Sequence, residues 1–96
     1  MSSTKEYKDY ILDQLSFLDN ISCKPMMGEY LLYYNDLLFG GIYDDRLLVK
    51  MCESNKKYNM DVVIPYPSAK QMYYIKDVDN IEVLNSIIID TYNGLK

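Results

Sequence analysis

The chain contains no histidine and no tryptophan, a single arginine (Arg46) and two cysteines (Cys23 and Cys52). Each shortage excludes something. Without histidine there is no imidazole base, no His metal ligand, and no Ser–His or Cys–His pair for nucleophilic catalysis. The cysteines belong to no C-x-x-C motif and make at most one pair, which is not a disulfide framework. Both are expected reduced, in or near the core. No glycine-rich phosphate loop occurs, since Gly40-Gly41 lies inside a predicted strand. No apolar run approaches the roughly 18 residues of a membrane helix. The start, Met1-Ser2-Ser3-Thr4-Lys5-Glu6, has no signal-peptide pattern. These absences lead to the expectation of a cytoplasmic protein that is not an enzyme and uses no metal, cofactor or membrane.

What the chain does have is apolar and aromatic. Hydrophobic residues make up 49% of its 96 positions, against 25% charged, and eleven residues are tyrosine. That balance fits one folded domain spanning 1–96. The net charge of −4 argues against strong nucleic-acid binding, because such binding needs a concentrated basic patch. The cations are scattered, and the adjacent pair Lys56-Lys57 reads as a solvated helix face.

The hydrophobic pattern predicts an α+β fold, a two-layer sandwich. An antiparallel meander and two further short strands pack against N- and C-terminal helices. Ser3 and Glu6 stand at capping-box spacing ahead of a helix over about 4–18, with Tyr7, Tyr10, Ile11, Leu15 and Leu18 on one face. Ile21 to Met26 suits an edge or entering strand because of Pro25. Glu53 to Met60 reads as a short polar helix with Ser54 near its cap. Val62-Val63-Ile64 and Met72-Tyr73-Tyr74-Ile75 are strands, the second pairing with the first or with the meander edge. Asp79 and Glu82 mark the start of a last helix carrying Ile81, Leu84, Ile88, Tyr92 and Leu95.

The stretch from Lys24 to Met51 organises the rest. Two-residue turns at Asn35-Asp36 and Asp44-Asp45 would pair Tyr34 with Leu37, Tyr33 with Leu38, Leu32 with Phe39, Ile42 with Leu47, and Gly40 with Val49. Alternation then puts Leu31, Tyr33, Leu38, Gly40, Ile42, Leu47, Val49 and Met51 on one face. The other face takes Tyr30, Leu32, Tyr34, Leu37, Phe39, Gly41, Tyr43 and Leu48, with Arg46 and Lys50 at a border. In the third strand the charges lie on the second face, so the first is expected to be the core, with Gly40 letting a helix approach. The second face would be an exposed apolar patch. This assignment depends on there being no bulge near Gly40-Gly41.

Other constellations have structural readings. Asp44-Asp45 is a turn former rather than a metal or acid–base pair. Asp77, Asp79 and Glu82 suit the start of a helix, where negative charge is favoured. Cys23 beside Lys24 is read as a buried thiol rather than a reactive one.

The matches Lys24, Met26, Gly28, Tyr30, Leu32-Tyr33, Phe39, Asp44-Asp45-Arg46-Leu47, Val49-Lys50, Pro65, Tyr66 and Met72-Tyr73-Tyr74 occur in a characteristic order. In this the chain resembles the TfoX/Sxy N-terminal domain family, known for regulators of natural competence. Met27 replaces the usual Phe, Glu29 replaces the second glycine, and Ile75-Lys76-Asp77-Val78 stands where a proline is usual. The longer regulators also carry a C-terminal domain, so a stand-alone N-terminal-type domain is expected here. The resemblance implies a fold like that of secretion chaperones and YjbR-like proteins, a regulatory role through protein contact, and no catalytic residues.

The functional expectation is therefore a non-enzymatic regulatory domain contacting a protein partner or a second copy of itself. Its predicted surface is Tyr30, Leu32, Tyr34, Leu37, Phe39, Tyr43, Arg46, Leu48 and Lys50. A second reading is nucleic-acid binding with Tyr30, Tyr34 and Phe39 as stacking platforms beside Arg46 and Lys50. A third is a small-ligand or enzymatic pocket near Tyr66, Met72 and Tyr73.

Overall fold

Three two-residue hairpin turns build most of the sheet. Met27-Gly28, Asn35-Asp36 and Asp44-Asp45 all have positive φ, at 50° and 84°, 49° and 67°, and 53° and 54°. Positive φ at both central residues is the backbone of a type I′ turn, whose twist matches the flanking strands. A computed structural model describes residues 2–96. In it these turns join β1 (Ile21–Met26), β2 (Glu29–Tyr34), β3 (Leu37–Ile42) and β4 (Leu47–Val49). β5 (Asp61–Val63) and β6 (Met72–Ile75) complete a six-stranded antiparallel sheet in the order β1-β2-β3-β4-β6-β5. β6 pairs with both the meander edge and β5. β1 is an edge strand, where the missing N–H of Pro25 does least harm.

Helices α1 (Lys5–Gln14) and α2 (Ile81–Leu95) cover one face, and a 3₁₀ helix (Glu53–Tyr58) links β4 to β5. The fold is α+β, as the hydrophobic pattern predicts. Both helix caps fall one residue later than expected. Thr4 rather than Ser3 accepts from the Tyr7 N–H, and Asn80 rather than Asp79 accepts from the Val83 N–H. The displaced residues are occupied elsewhere. Ser3 donates to Glu29 at 2.7 Å, and Asp79 accepts from the Tyr10 hydroxyl. Ser54 likewise does not cap the 3₁₀ helix; its hydroxyl donates to the Asp90 carbonyl of α2 at 2.5 Å.

The core lies between the helices and the sheet. Ile11 and Leu15 from the first helical segment and Leu84, Ile87 and Ile88 from α2 meet Leu32, Phe39, Ile42, Leu47, Val49, Tyr73 and Ile75 from the sheet. This corrects the predicted faces of β2 and the first half of β3. Tyr34 pairs with Leu37 and Tyr33 with Leu38 as expected, but Leu32 then pairs with Gly40, not Phe39. One extra residue is accommodated at this irregularity, a β-bulge, so strict alternation fails there. Phe39 and Gly40 both lie on the helix side, and beyond them Ile42, Leu47 and Val49 remain in the core as predicted.

The two glycines serve this distortion. A Cβ on Gly40 would collide with the Leu48 carbonyl oxygen, and one on Gly41 would lie 2.5 Å from the Tyr30 carbonyl oxygen. The close approach at Gly40 is therefore made by the neighbouring strand, not by a helix as expected.

Candidate interaction surface

The bulge decides where the nine predicted surface residues go. Leu32 and Phe39 are fully buried in the core, and Tyr30 and Tyr34 pack against it from the same side. The Tyr34 ring lies 4.8 Å from that of Tyr92 on α2, and Leu37, the partner of Tyr34, shares this helix-facing side. These five residues do not form an outer patch, and Tyr30, Tyr34 and Phe39 do not form a stacking platform there. The other four, Tyr43, Arg46, Leu48 and Lys50, belong to the outer side of the sheet, where Tyr43 and Leu48 are nevertheless buried.

The cover over Tyr43 and Leu48 is local. They cluster with Met72, and Leu31, Val63 and Tyr74 pack around them. The connection between β5 and β6 folds across this part of the sheet. Pro65 is buried, and the Tyr66 ring stands 6.1 Å from Tyr43. The chain bends at Pro65 and turns at Pro67-Ser68, where the Ala69 N–H donates to the Tyr66 carbonyl at 3.1 Å. Burial pushes the Tyr43 hydroxyl pKa upward, with smaller contributions from Tyr66, Glu29 and Tyr33.

Two open grooves flank Tyr66. One, of about 540 Å³, has Leu38, Lys50, Met51, Lys70 and Met72 among its lining residues. The other, of about 500 Å³, reaches Met26, Met27, Glu29 and Arg46. Met72 and Tyr66 thus meet at a groove as the third reading expects, but Tyr73 is buried in the core on the opposite side. Further along the sheet, the Lys24 ammonium lies 5.2 Å from the centre of the Tyr33 ring, a favourable cation–π placement.

The acidic hairpin tip has a mechanical task. The Asp45 carboxylate accepts from the Thr4 N–H at 2.8 Å, and the Glu29 carboxylate accepts from the Asp44 N–H and from Ser3. Glu29, which departs from the family's usual glycine, therefore fastens the start of α1 to two hairpins. Cys23 packs half-buried against the core, and burial raises its thiol pKa, which disfavours the reactive thiolate. Cys52 is half-buried and free. Among the described residues, no three Cys, Asp or Glu side chains gather as a metal-binding group, and no helix is long and apolar enough to cross a membrane.

Sequence comparison places this architecture. The family model for the TfoX N-terminal domain matches residues 13–77, well over half the chain. The chain belongs to the TfoX N-terminal domain family. Its matched region runs from the end of α1 to just past β6, so it contains the entire sheet. A relative from Spirochaeta aurantia, described as an "Uncharacterized 12.7 kDa protein in trpE 5'region", is 29% identical over 80 residues. That alignment covers 81% of this chain and 70% of the relative. No solved structure matches significantly.

Lys24, Leu31, Tyr33, Tyr66, Lys70 and Tyr74 were absent from the predicted surface. The sequence did carry a signal for the first part of this correction, because adjacent glycines within a strand mark a bulge. Pro65-Tyr66-Pro67 announced a constrained connection but not the face it would cross.

Proposed function

We propose that this member of the TfoX N-terminal domain family is a small, non-enzymatic regulatory domain of the cytoplasm. It acts through protein–protein contact, in transcriptional or competence-type regulation. The observation that carries the reading is the one-sided helical layer. Both helices pack on the same face of the sheet, and among the described residues the other face has the β5–β6 connection across part of it. Tyr33 and Tyr74 contribute half-buried rings to this side, and tyrosine combines a large contact area with a polar tip. The histidine-free sequence supports the non-enzymatic part of the proposal.

The test is chemical cross-linking with mass spectrometry in lysate, together with the solution mass at several concentrations. The expected result is a protein partner or second copy whose contact protects the Tyr33 and Tyr74 side of the sheet and is lost in Tyr33→Asp and Tyr74→Asp. A monomer whose partners all contact the helical layer would sink the proposal.

Nucleic-acid binding is the second reading. The specific feature favouring it is the placement of Lys24, Arg46 and Lys50 on the tyrosine-bearing side. The net charge of −4 weighs against it. A salt-dependent mobility shift with an oligonucleotide would support it, whereas no shift at low salt would remove it.

A further inference from the structure

We propose that the groove lined by Lys50 and Lys70 takes an acidic, apolar peptide segment of a partner protein. This rests on the protein-contact reading and names the chemistry of the contact. The chain carries 14 acidic and 10 basic residues, yet this groove is lined by two lysines and no carboxylate. Most ion pairs lie on the helical elements. Lys5 and Lys8 pair with Asp9, Lys56 with Glu53, and Lys57 with Asp90, all on helical elements. Lys76 pairs with Asp61 at the β5–β6 edge. Lys50 and Lys70 have no ion-pair partner among the described residues, and both are exposed.

Below these lysines the groove is apolar. Leu38, Met51 and Met72 line it, and the Tyr66 ring, 52% exposed, stands beside them. Methionine surfaces repack around varied apolar side chains, while unneutralised lysines select the sign of the flanking charge. A volume of about 540 Å³ exceeds what a simple inorganic anion needs. A second copy docked face to face through this groove would bring lysines against lysines. A nucleic acid would meet only two cations here, too few for the concentrated basic patch that phosphate backbones require.

The experiment is fluorescence anisotropy of the full chain with a labelled heptapeptide alternating Asp or Glu with Leu, Phe and Met. Three comparison probes are used: the same peptide with lysines for its acids, the same peptide with serines for its apolar residues, and a single-stranded oligonucleotide. The proposal expects saturable binding of the first peptide only, weakening as salt rises. It expects at least a tenfold loss for the Lys50→Glu, Lys70→Glu double variant and no loss for Lys5→Glu on the helical layer. The salt dependence is read on the unaltered protein, so it does not depend on the variants folding.

No binding of the acidic apolar peptide, or equal loss in Lys5→Glu, would overturn the groove assignment. If cross-linking meanwhile maps a protein partner to Tyr33 and Tyr74, the protein-contact reading survives that failure. Oligonucleotide binding in place of peptide binding, abolished by the double variant and without any protein partner, would overturn both.

Discussion

At Phe39 and Gly40 the alternation of β3 breaks, and both residues face the helices. Gly40 permits this because the backbone of β4 occupies the space a side chain would need. Gly40→Ala should therefore cost about 1–3 kcal/mol through forced strand displacement, read as a lower urea midpoint with the slope unchanged. Asn55 is the other residue with many obligations. Fully buried, its amide donates to the Lys50 carbonyl and the Thr91 hydroxyl, both at 2.9 Å, and accepts from the Cys52 N–H at 3.1 Å. Asn55→Ala would strand those partners in the interior and should cost about 2–3 kcal/mol. The glycine pair signalled a bulge, but the element pressing on Gly40 and the partners of Asn55 were not legible at the level of residue type. The sequence showed a glycine pair and a polar helix, and their partners lie on elements distant in the chain. The caps were legible to within one residue because Ser3 and Asp79 also had the right chemistry, and only tertiary hydrogen bonds drew them away.

Between elements, a polar bracket joins the 3₁₀ helix to the C-terminal half of α2. The Tyr58 hydroxyl donates to the Asp90 carboxylate at 2.6 Å, and the Lys57 ammonium lies 3.1 Å from the same oxygen. Burial, and then the bond to Asp90, push the Tyr58 pKa up from 10.0 to about 12. That same bond, and Lys57, hold Asp90 below its ordinary value of 3.8. The two shifts give opposite pH dependences. The contribution of Tyr58 is fully present below pH 10 and is lost as pH rises towards about 12. That of Asp90 is present above pH 3.8 and is lost as pH falls below it. Tyr58→Phe should cost about 1 kcal/mol at neutral pH and flatten both limbs of a urea-midpoint-against-pH profile relative to wild type. Unchanged limbs would show that the bracket contributes nothing in solution. At this scale the sequence was informative. Type I′ turn chemistry at Asn35-Asp36 and Asp44-Asp45 located both expected hairpins, a β-branched run located β5 to within one residue, and Met72-Tyr73-Tyr74-Ile75 located β6. The contact between the 3₁₀ helix and α2 was not legible, since it depends on Gly94 letting Ser54 and Cys52 lie against the helix.

For the molecule as a whole, one inserted residue settles which surface is available. A regular ladder would have exposed Tyr30, Leu32, Tyr34, Leu37 and Phe39. The bulge turns them to the helix-facing side and leaves Tyr33, Tyr74, Lys24 and the two grooves around Tyr66 on the outer side. The α+β architecture was legible because it needs only the period and order of the elements. The surface was not, because a one-residue change of register moves every side chain of a strand to the opposite face. The proposed contact, and the acidic peptide segment that would occupy it, both depend on that face assignment. Its most direct measurement is a pair of urea denaturation curves for Phe39→Ala and Tyr33→Ala. The account predicts a loss of about 3–5 kcal/mol for Phe39→Ala, as for a buried aromatic, and less than about 1 kcal/mol for Tyr33→Ala. A small loss at Phe39 with a large one at Tyr33 would restore the regular ladder and contradict the account.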